Sequence, residues 1–417
     1  MRGPRPASPA DAAFMARALA LAERGIGRTS PNPSVGAVLV QGDTVVGEGR
    51  TAPAGGPHAE AAALAAAGAA AAGATAYVTL EPCAHHGRTP PCADALIAAG
   101  VSRVVYALRD PNPSVDGAGA ARLLAAGLDV VEGVGADAAR TLYAPFARWI
   151  TTGRPFVTAK WAMTLDGRIA SRTGDSRWIS GPPARAEAHR LRDRVDAVVV
   201  GSGTVLRDDP ALTVRLDRAD PHRADAGRAD SDRDARQPLR VVLDSTGRVP
   251  LWSRVFDVTE APTLVATVAM PAGRAAELRE RGVEVVAVAG DAEGRVAIAA
   301  LLDILGRRGA LHVLVEGGAA VHGSFVAARA VDAVWAVVAP VIVGGREAPG
   351  PVGGHGVARM ADAVRLTNIA FAPLNDDIVV TGTPTWPTND ASSLPPMDDD
   401  TPASAHRAPA TMSPSAR

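Results

Sequence analysis

Two cysteines occur in this chain of 417 residues, and both lie beside prolines in one stretch, Glu81-Pro82-Cys83-Ala84-His85-His86-Gly87-Arg88-Thr89-Pro90-Pro91-Cys92, downstream of a His58-Ala59-Glu60 triplet. An imidazole and two thiolates form a zinc donor set that leaves one coordination position for water, and a carboxylate can reach that water without ligating the metal. A fold for this chain therefore has to bring His58, Cys83, Cys92 and Glu60 from separate segments to one point. The same parts carry hydrolytic removal of an amine from a heterocyclic carbon: Glu60 takes a proton from the water and passes it to the departing amine. Two blander readings stay open. The thiols could pair as a disulfide, or His85 or His86 could supply a fourth ligand and close the metal site.

The formal net charge is −1, from 43 basic and 44 acidic residues, and aromatic residues make up 4%. Neither a phosphate polymer nor an acidic membrane is attracted by such a balance, and a nucleic-acid-editing site would need a basic, aromatic-lined strand path. No nucleic-acid or membrane partner is expected; a small-molecule substrate and assembly into a homo-oligomer are. Met1 to Ala10 lacks an apolar core of signal-peptide length, so a cytoplasmic, reducing location is expected, where thiols beside prolines suit metal better than a disulfide. The Ala-rich run Ala59 to Ala76 begins with Glu60 and is broken by Gly68 and Gly73, which predicts a soluble helix packed on a sheet.

Hydrophobic periodicity places an α/β layered domain over residues 1–145. Its helices are expected at Phe14–Arg24, Glu60–Ala72, Ala93–Ala99 and Ala118–Ala126, and its strands at Val35–Val40, Thr44–Gly49, Ala76–Leu80, Val101–Ala107 and Asp129–Glu132. Thr151 to Pro155 interrupts the pattern, and a second α/β domain is assigned to residues 146–384, with strands expected at Phe156–Met163, Ala197–Gly201, Arg240–Asp244, Thr263–Thr267, Val283–Val288, His312–Glu316, Asp332–Val343 and Asp377–Thr381. Residues 216–237 lack apolar anchors and are expected to form a mobile insertion; the Pro-, Ser- and Asp-rich residues 385–417 are expected to be disordered.

His-Ala-Glu followed by Thr-Leu-Glu-Pro-Cys-x-His-His-Gly-Arg-Thr-Pro-Pro-Cys resembles the bifunctional riboflavin-biosynthesis deaminase/reductase family. The wider cytidine deaminase superfamily has two residues between its cysteines, and the longer insertion marks this branch. The resemblance implies a cytidine-deaminase-like three-layer domain followed by a dihydrofolate-reductase-like domain. It implies deamination of 2,5-diamino-6-(5-phosphoribosylamino)pyrimidin-4-one with Zn²⁺, Glu60 matching the proton shuttle and Asn32, His85, His86 and Arg88 lying against this phosphoribosylated pyrimidine.

In the second half, Lys160-Trp161-Ala162-Met163-Thr164-Leu165-Asp166-Gly167-Arg168, Ser176-Arg177-Trp178-Ile179-Ser180 and Gly203 to Arg215 resemble the family's reductase domain, which uses NADPH to reduce the ribose to a ribityl chain. Carried over by position, NADPH contacts fall on Ala162, Trp178, Thr204, Asp208, Ser245, Gly318, Ala319, Ala320, Val321, His322, Gly323 and Ser324. Substrate contacts fall on Ser176, Arg192, Leu212, Arg215 and Glu316. The bare pattern supports a phosphate near Gly317-Gly318, where a strand turns into a helix start, although the Rossmann glycine spacing is absent. Lys160 is the only lysine of the chain, which points to an amine that arginine cannot replace, holding substrate hydroxyls or assisting proton transfer. The rival readings are a deaminase of another aminated base with a non-reducing second domain, and a zinc-stabilised interaction module.

Overall fold

The computed structural model describes residues 8–84, 90–113, 115–216 and 236–387. Most of the 216–237 insertion and of the 385–417 tail lies outside those residues, as do His85, His86 and Arg88. At the neck of the insertion, the Gln237 side chain closes on Val214, accepting from its N–H at 2.6 Å and donating to its carbonyl at 3.2 Å.

The first sheet has the order β2-β1-β3-β4-β5, built from β1 (Gly36–Gln41), β2 (Thr44–Arg50), β3 (Thr75–Val78), β4 (Arg103–Tyr106) and β5 (Asp129–Glu132). β1 runs antiparallel to both neighbours, and β3, β4 and β5 are parallel. Helices α1 (Pro9–Arg24) and α5 (Ala136–Thr152) pack together, as do α2 (Ala59–Ala67), α3 (Cys92–Ala98) and α4 (Ala118–Ala125), giving helix, sheet and helix layers. The alanines of α2 matter because they let it lie on β2 at backbone contact: a Cβ on Gly49 would sit 2.2 Å from the Ala59 carbonyl oxygen, and one on Gly47 2.3 Å from that of Ala63. That close approach fixes the start of α2, where His58 and Glu60 lie. The helix expected to reach Ala72 ends at Ala67, because Gly68 turns to φ 54 and a 3₁₀ turn follows.

α5 is a helix that the periodicity reading left out. It passes through residue 145, where the sequence places a domain edge, with Pro145 inside it, and stops at Gly153 in the left-handed region at φ 72. Beyond that turn the second sheet begins. Its order is β10-β9-β8-β7-β11-β6-β12-β14-β13, parallel from β10 through β12 and antiparallel at β14 and β13. The strands are β6 (Phe156–Thr164), β7 (Ala197–Gly201), β8 (Leu239–Leu243), β9 (Thr263–Thr267), β10 (Glu284–Ala287), β11 (His312–Val315), β12 (Ala333–Ala339), β13 (Arg365–Leu374) and β14 (Asp377–Thr385). β13 was not expected from the sequence; it is an edge strand exposed along nearly its whole length, so it lacks the alternation that marks a half-buried strand.

The halves meet along a polar seam. The Trp149 indole N–H of α5 donates to the Gly306 carbonyl at 2.9 Å, and Arg28 donates to the Asp193 carbonyl at 2.8 Å. Among the described residues no helix is long and apolar enough to cross a membrane.

Candidate active sites

In the first half, β3 runs into Thr79-Leu80-Glu81-Pro82-Cys83, and the chain returns at Cys92 as the first residue of α3. His58 is the residue before α2, so both metal-ligand segments meet at helix N-termini, where the aligned peptide dipoles favour negative charge. Cys92 Sγ lies 3.3 Å and Cys83 Sγ 3.8 Å from His58 Nδ1, and the Cys92 N–H points at Cys83 Sγ at 3.4 Å. A thiolate and an imidazole on one tetrahedral zinc stand roughly 3.5 Å apart, given ~2.3 Å and ~2.05 Å bonds. The three donors therefore fit zinc, and among the described residues they form the one such cluster of histidine, cysteine and carboxylate groups. Both thiols are free, converging on His58 rather than paired as a disulfide. The closed-site alternative rests on residues outside those described.

Electrostatics agree with a metal site. The Cys92 thiol, followed by His58 and the Cys92 N–H, holds the Cys83 thiol down to about 4 against burial. The same sulfur contact pushes Cys92 up, and the Cys83 contact raises His58. A thiol held in its anionic form beside an imidazole and a second thiol is a donor set suited to a soft divalent metal. Glu60, in the first turn of α2, is 4% exposed, and burial pushes its carboxyl up to about 7.

These residues open on a cavity of about 400 Å³ lined also by Asn32, Thr51, Asp110, Asn112, Phe146 and Trp149. The Thr29 hydroxyl donates to the Asn32 carbonyl at 2.9 Å, fixing the loop, while the Asn32 side-chain amide has no partner among the described residues. Phe146 and Trp149 come from α5, and their spacing with Leu142 on one helix face was the signal available for them.

Glu81 is the functional residue that sequence reasoning passed over. Its buried carboxylate accepts from the backbone N–H groups of Asp110 (3.2 Å), Gly117 (3.0 Å) and Ala120 (3.0 Å), tying the strand that carries Cys83 to the loop that carries Asp110 and Asn112. Glu81→Gln would turn an amide N–H₂ toward these donors. It should cost about 1–3 kcal/mol and lower zinc occupancy, read by denaturation midpoint and metal analysis.

The second site lies at the carboxyl ends of β6, β7 and β11, the usual position for ligands in parallel sheets. A cavity of about 380 Å³ is lined there by Lys160, Ala162, Ser176, Trp178, Thr204 and Asp208, and further by Arg192, Arg215, Glu316, Gly318 and His322. Glu316 lies just after β11, its side chain 6% exposed. Its carboxylate receives Arg192 Nη2 at 3.0 Å, Arg192 Nε, and Lys160 Nζ at 3.5 Å. Burial works to raise its pKa, yet the Arg192 and Lys160 charges outweigh it and hold the carboxyl at about 2. The Ser176 hydroxyl donates to Asp208 at 3.4 Å, and the Arg185 guanidinium lies 4.4 Å from the Trp178 ring centre.

Gly318, at φ 65, precedes the helix α10 (Ala319–Ala327), and a Cβ on it would lie 3.0 Å from the Thr204 hydroxyl. A bare backbone turn at a helix N-terminus beside a hydroxyl and an aromatic ring fits a nucleotide with phosphates. Several expected contacts do not line the cavity. Ser245 spends its hydroxyl accepting from the Val296 N–H at 3.1 Å. Leu212 is packed in an apolar cluster with Val198 and Val205. Ala319, Ala320, Val321, Gly323 and Ser324 occupy α10 itself, behind Gly318 and His322.

With both sites defined, the comparisons with known proteins fall into register. Residues 8–108 match the cytidine and deoxycytidylate deaminase zinc-binding region, and residues 155–380 match the RibD C-terminal domain. The chain is therefore an enzyme that joins a deaminase domain to a reductase domain. The riboflavin biosynthesis protein RibD of Actinobacillus pleuropneumoniae is 40% identical over 371 residues, covering 89% of this chain and 94% of that one. The Escherichia coli K12 protein of the same name is 40% identical over 366 residues, covering 85% and 94%. A solved structure of Acinetobacter baumannii RibD superposes with TM-score 0.78 at 37% identity, over 90% of this chain and 99% of that one. The Thermotoga maritima diaminohydroxyphosphoribosylaminopyrimidine deaminase/5-amino-6-(5-phosphoribosylamino)uracil reductase gives 0.75 at 35% identity, with the same coverage. The chain belongs to the RibD family of bifunctional riboflavin-biosynthesis enzymes.

Proposed function

We propose that the first half deaminates 2,5-diamino-6-(5-phosphoribosylamino)pyrimidin-4-one to the uracil and that the second half reduces the ribosyl group of that product to ribityl with NADPH. The observation that carries the first step is the convergence of His58, Cys83 and Cys92 on one point beside the buried Glu60. Zinc, when bound by these three side chains, supplies the Lewis acidity that makes water a nucleophile near neutral pH. Glu60 accepts the water's proton and returns it to the leaving amine. The side-chain amide of Asn32, which lines the same cavity, is the group we assign to the edge of the base.

For the second step, NADPH supplies hydride, and the chain supplies position and charge. Ala162, Trp178, Thr204, Asp208, Gly318 and His322 are the residues we assign to the cofactor, leaving Ser176, Arg192, Arg215, Glu316 and Lys160 for the substrate. Lys160 sits in β6 with its ammonium on Glu316, where it can donate to sugar hydroxyls as the ring opens. Arg215 offers a planar fork for the 5′-phosphate.

The test is a coupled balance on the full chain. We expect about one zinc per chain, ammonia release from the diaminopyrimidine substrate, and one NADPH oxidised per deaminated product. Removal of zinc with a chelator should stop ammonia release and leave reduction of added deaminated intermediate intact. Zinc present with no ammonia released would redirect the first site to another aminated base.

A further inference from the structure

His189 stands in the middle of α6 (Pro182–Asp193) and lines the second cavity. The Arg215 backbone N–H donates to His189 Nδ1 at 3.2 Å. A ring nitrogen that accepts cannot carry the proton, so the imidazole is neutral and its proton sits on Nε2. Nε2 has no partner among the described residues. The segment that His189 grips is held on other sides too: Arg192 Nη1 donates to the Thr213 carbonyl at 3.1 Å, Arg215 Nη1 donates to the Thr213 hydroxyl at 2.9 Å, and Gln237 clamps Val214.

Charge supplies the second line of argument. Around the imidazole, Lys160, Arg192 and Arg215 bring three cations against the single carboxylate of Glu316, while Arg185 lies on Trp178 and Asp208 takes the Ser176 hydroxyl. That excess of positive charge suits a dianion. It also disfavours a further cation: burial first, then Arg192 and Arg215, push the His189 pKa down to about 4. A residue kept neutral among arginines is a donor that adds direction without adding charge.

We propose that His189 determines the preference of the second site for phosphorylated substrate, Nδ1 holding the main chain at Arg215 and Nε2–H donating to a phosphate oxygen. The assignment rests on the reading of Arg215 as the phosphate anchor. His189 is thus a contact residue through one nitrogen and a positioning residue through the other.

The experiment compares kcat/KM for reduction of the 5′-phosphorylated intermediate and of its dephosphorylated nucleoside in four full-length variants, with deamination by the same chain reporting that it is folded. A hydrogen bond to a charged group sets the scale, so His189→Ala should reduce the phosphate preference about 10- to 100-fold, mostly through KM. His189→Asn keeps an acceptor near the Nδ1 position and loses the distal donor, and should still lose preference. His189→Gln carries an amide N–H out to the Nε2 position and should recover part of it. Equal loss for both substrates in His189→Ala and His189→Asn, or no loss in either, overturns the proposal. Arg215→Ala separates the two readings: if it leaves the preference intact, the phosphate anchor itself falls, and His189 with it. If it abolishes the preference while His189→Ala does not, the His189 proposal alone falls.

Discussion

Glu60→Gln should lower deamination by about 10²–10⁴-fold, the usual worth of a general acid–base group, while zinc content and reduction of added intermediate stay at wild-type levels. The reasoning follows from where the residue sits. Glu60 is in the first turn of a helix whose preceding residue is the His58 ligand, so the carboxylate is near the metal by chain geometry and yet is not among the three converging donors. Gln keeps the volume and a hydrogen-bonding oxygen but cannot carry a proton. In a site this buried, the neutral amide is also easier to accommodate than the carboxylate, so folding should not suffer. Ammonia release, metal analysis and NADPH oxidation on one sample separate the outcomes. Loss of zinc together with activity would recast Glu60 as a structural support for His58, and full activity would leave the chain's first half a metal-stabilised module.

How much of this was legible beforehand follows physical lines. His58, Glu60, Cys83 and Cys92 could be read because metal chemistry restricts residue type and because the two segments are short. The parallel strands could be read because strands covered on both faces are near-continuous apolar runs, as at Ala197–Gly201, buried throughout. α5 was hidden by Pro145 in its interior, although the residue before a proline only disfavours the helical region and packing against α1 overrides it. β13 was hidden because nothing buries it. Glu81 stood inside the quoted motif but declared no role, since its partners are three backbone N–H groups that only the folded loop brings together. His189 was invisible for a similar reason: its significance lies in a contact with the main chain of Arg215, across the insertion-bearing loop.

Glu316→Gln should reduce reductase activity by about 10²-fold or more and cost the second domain up to about 3 kcal/mol, because it leaves the half-buried Arg192 and Lys160 together without their counter-charge. Deamination, with its chemistry confined to the first half, should persist and serves as the internal control. The pH dependence gives an independent readout. The folded-state pKa of Glu316 is depressed from 4.5 to about 2, so the stabilisation its ion pairs provide is fully present above the ordinary glutamate range and is lost as pH falls through that interval toward 2. Urea midpoints of the wild-type chain, followed from pH 6 down to about 3, should therefore fall more steeply than those of Glu316→Gln, which has no proton to take up at this position. Parallel slopes would mean that Arg192 and Lys160 do not hold the carboxylate ionised, and the triad would then have to be read as a neutral hydrogen-bonded cluster rather than as the charged floor of a substrate site.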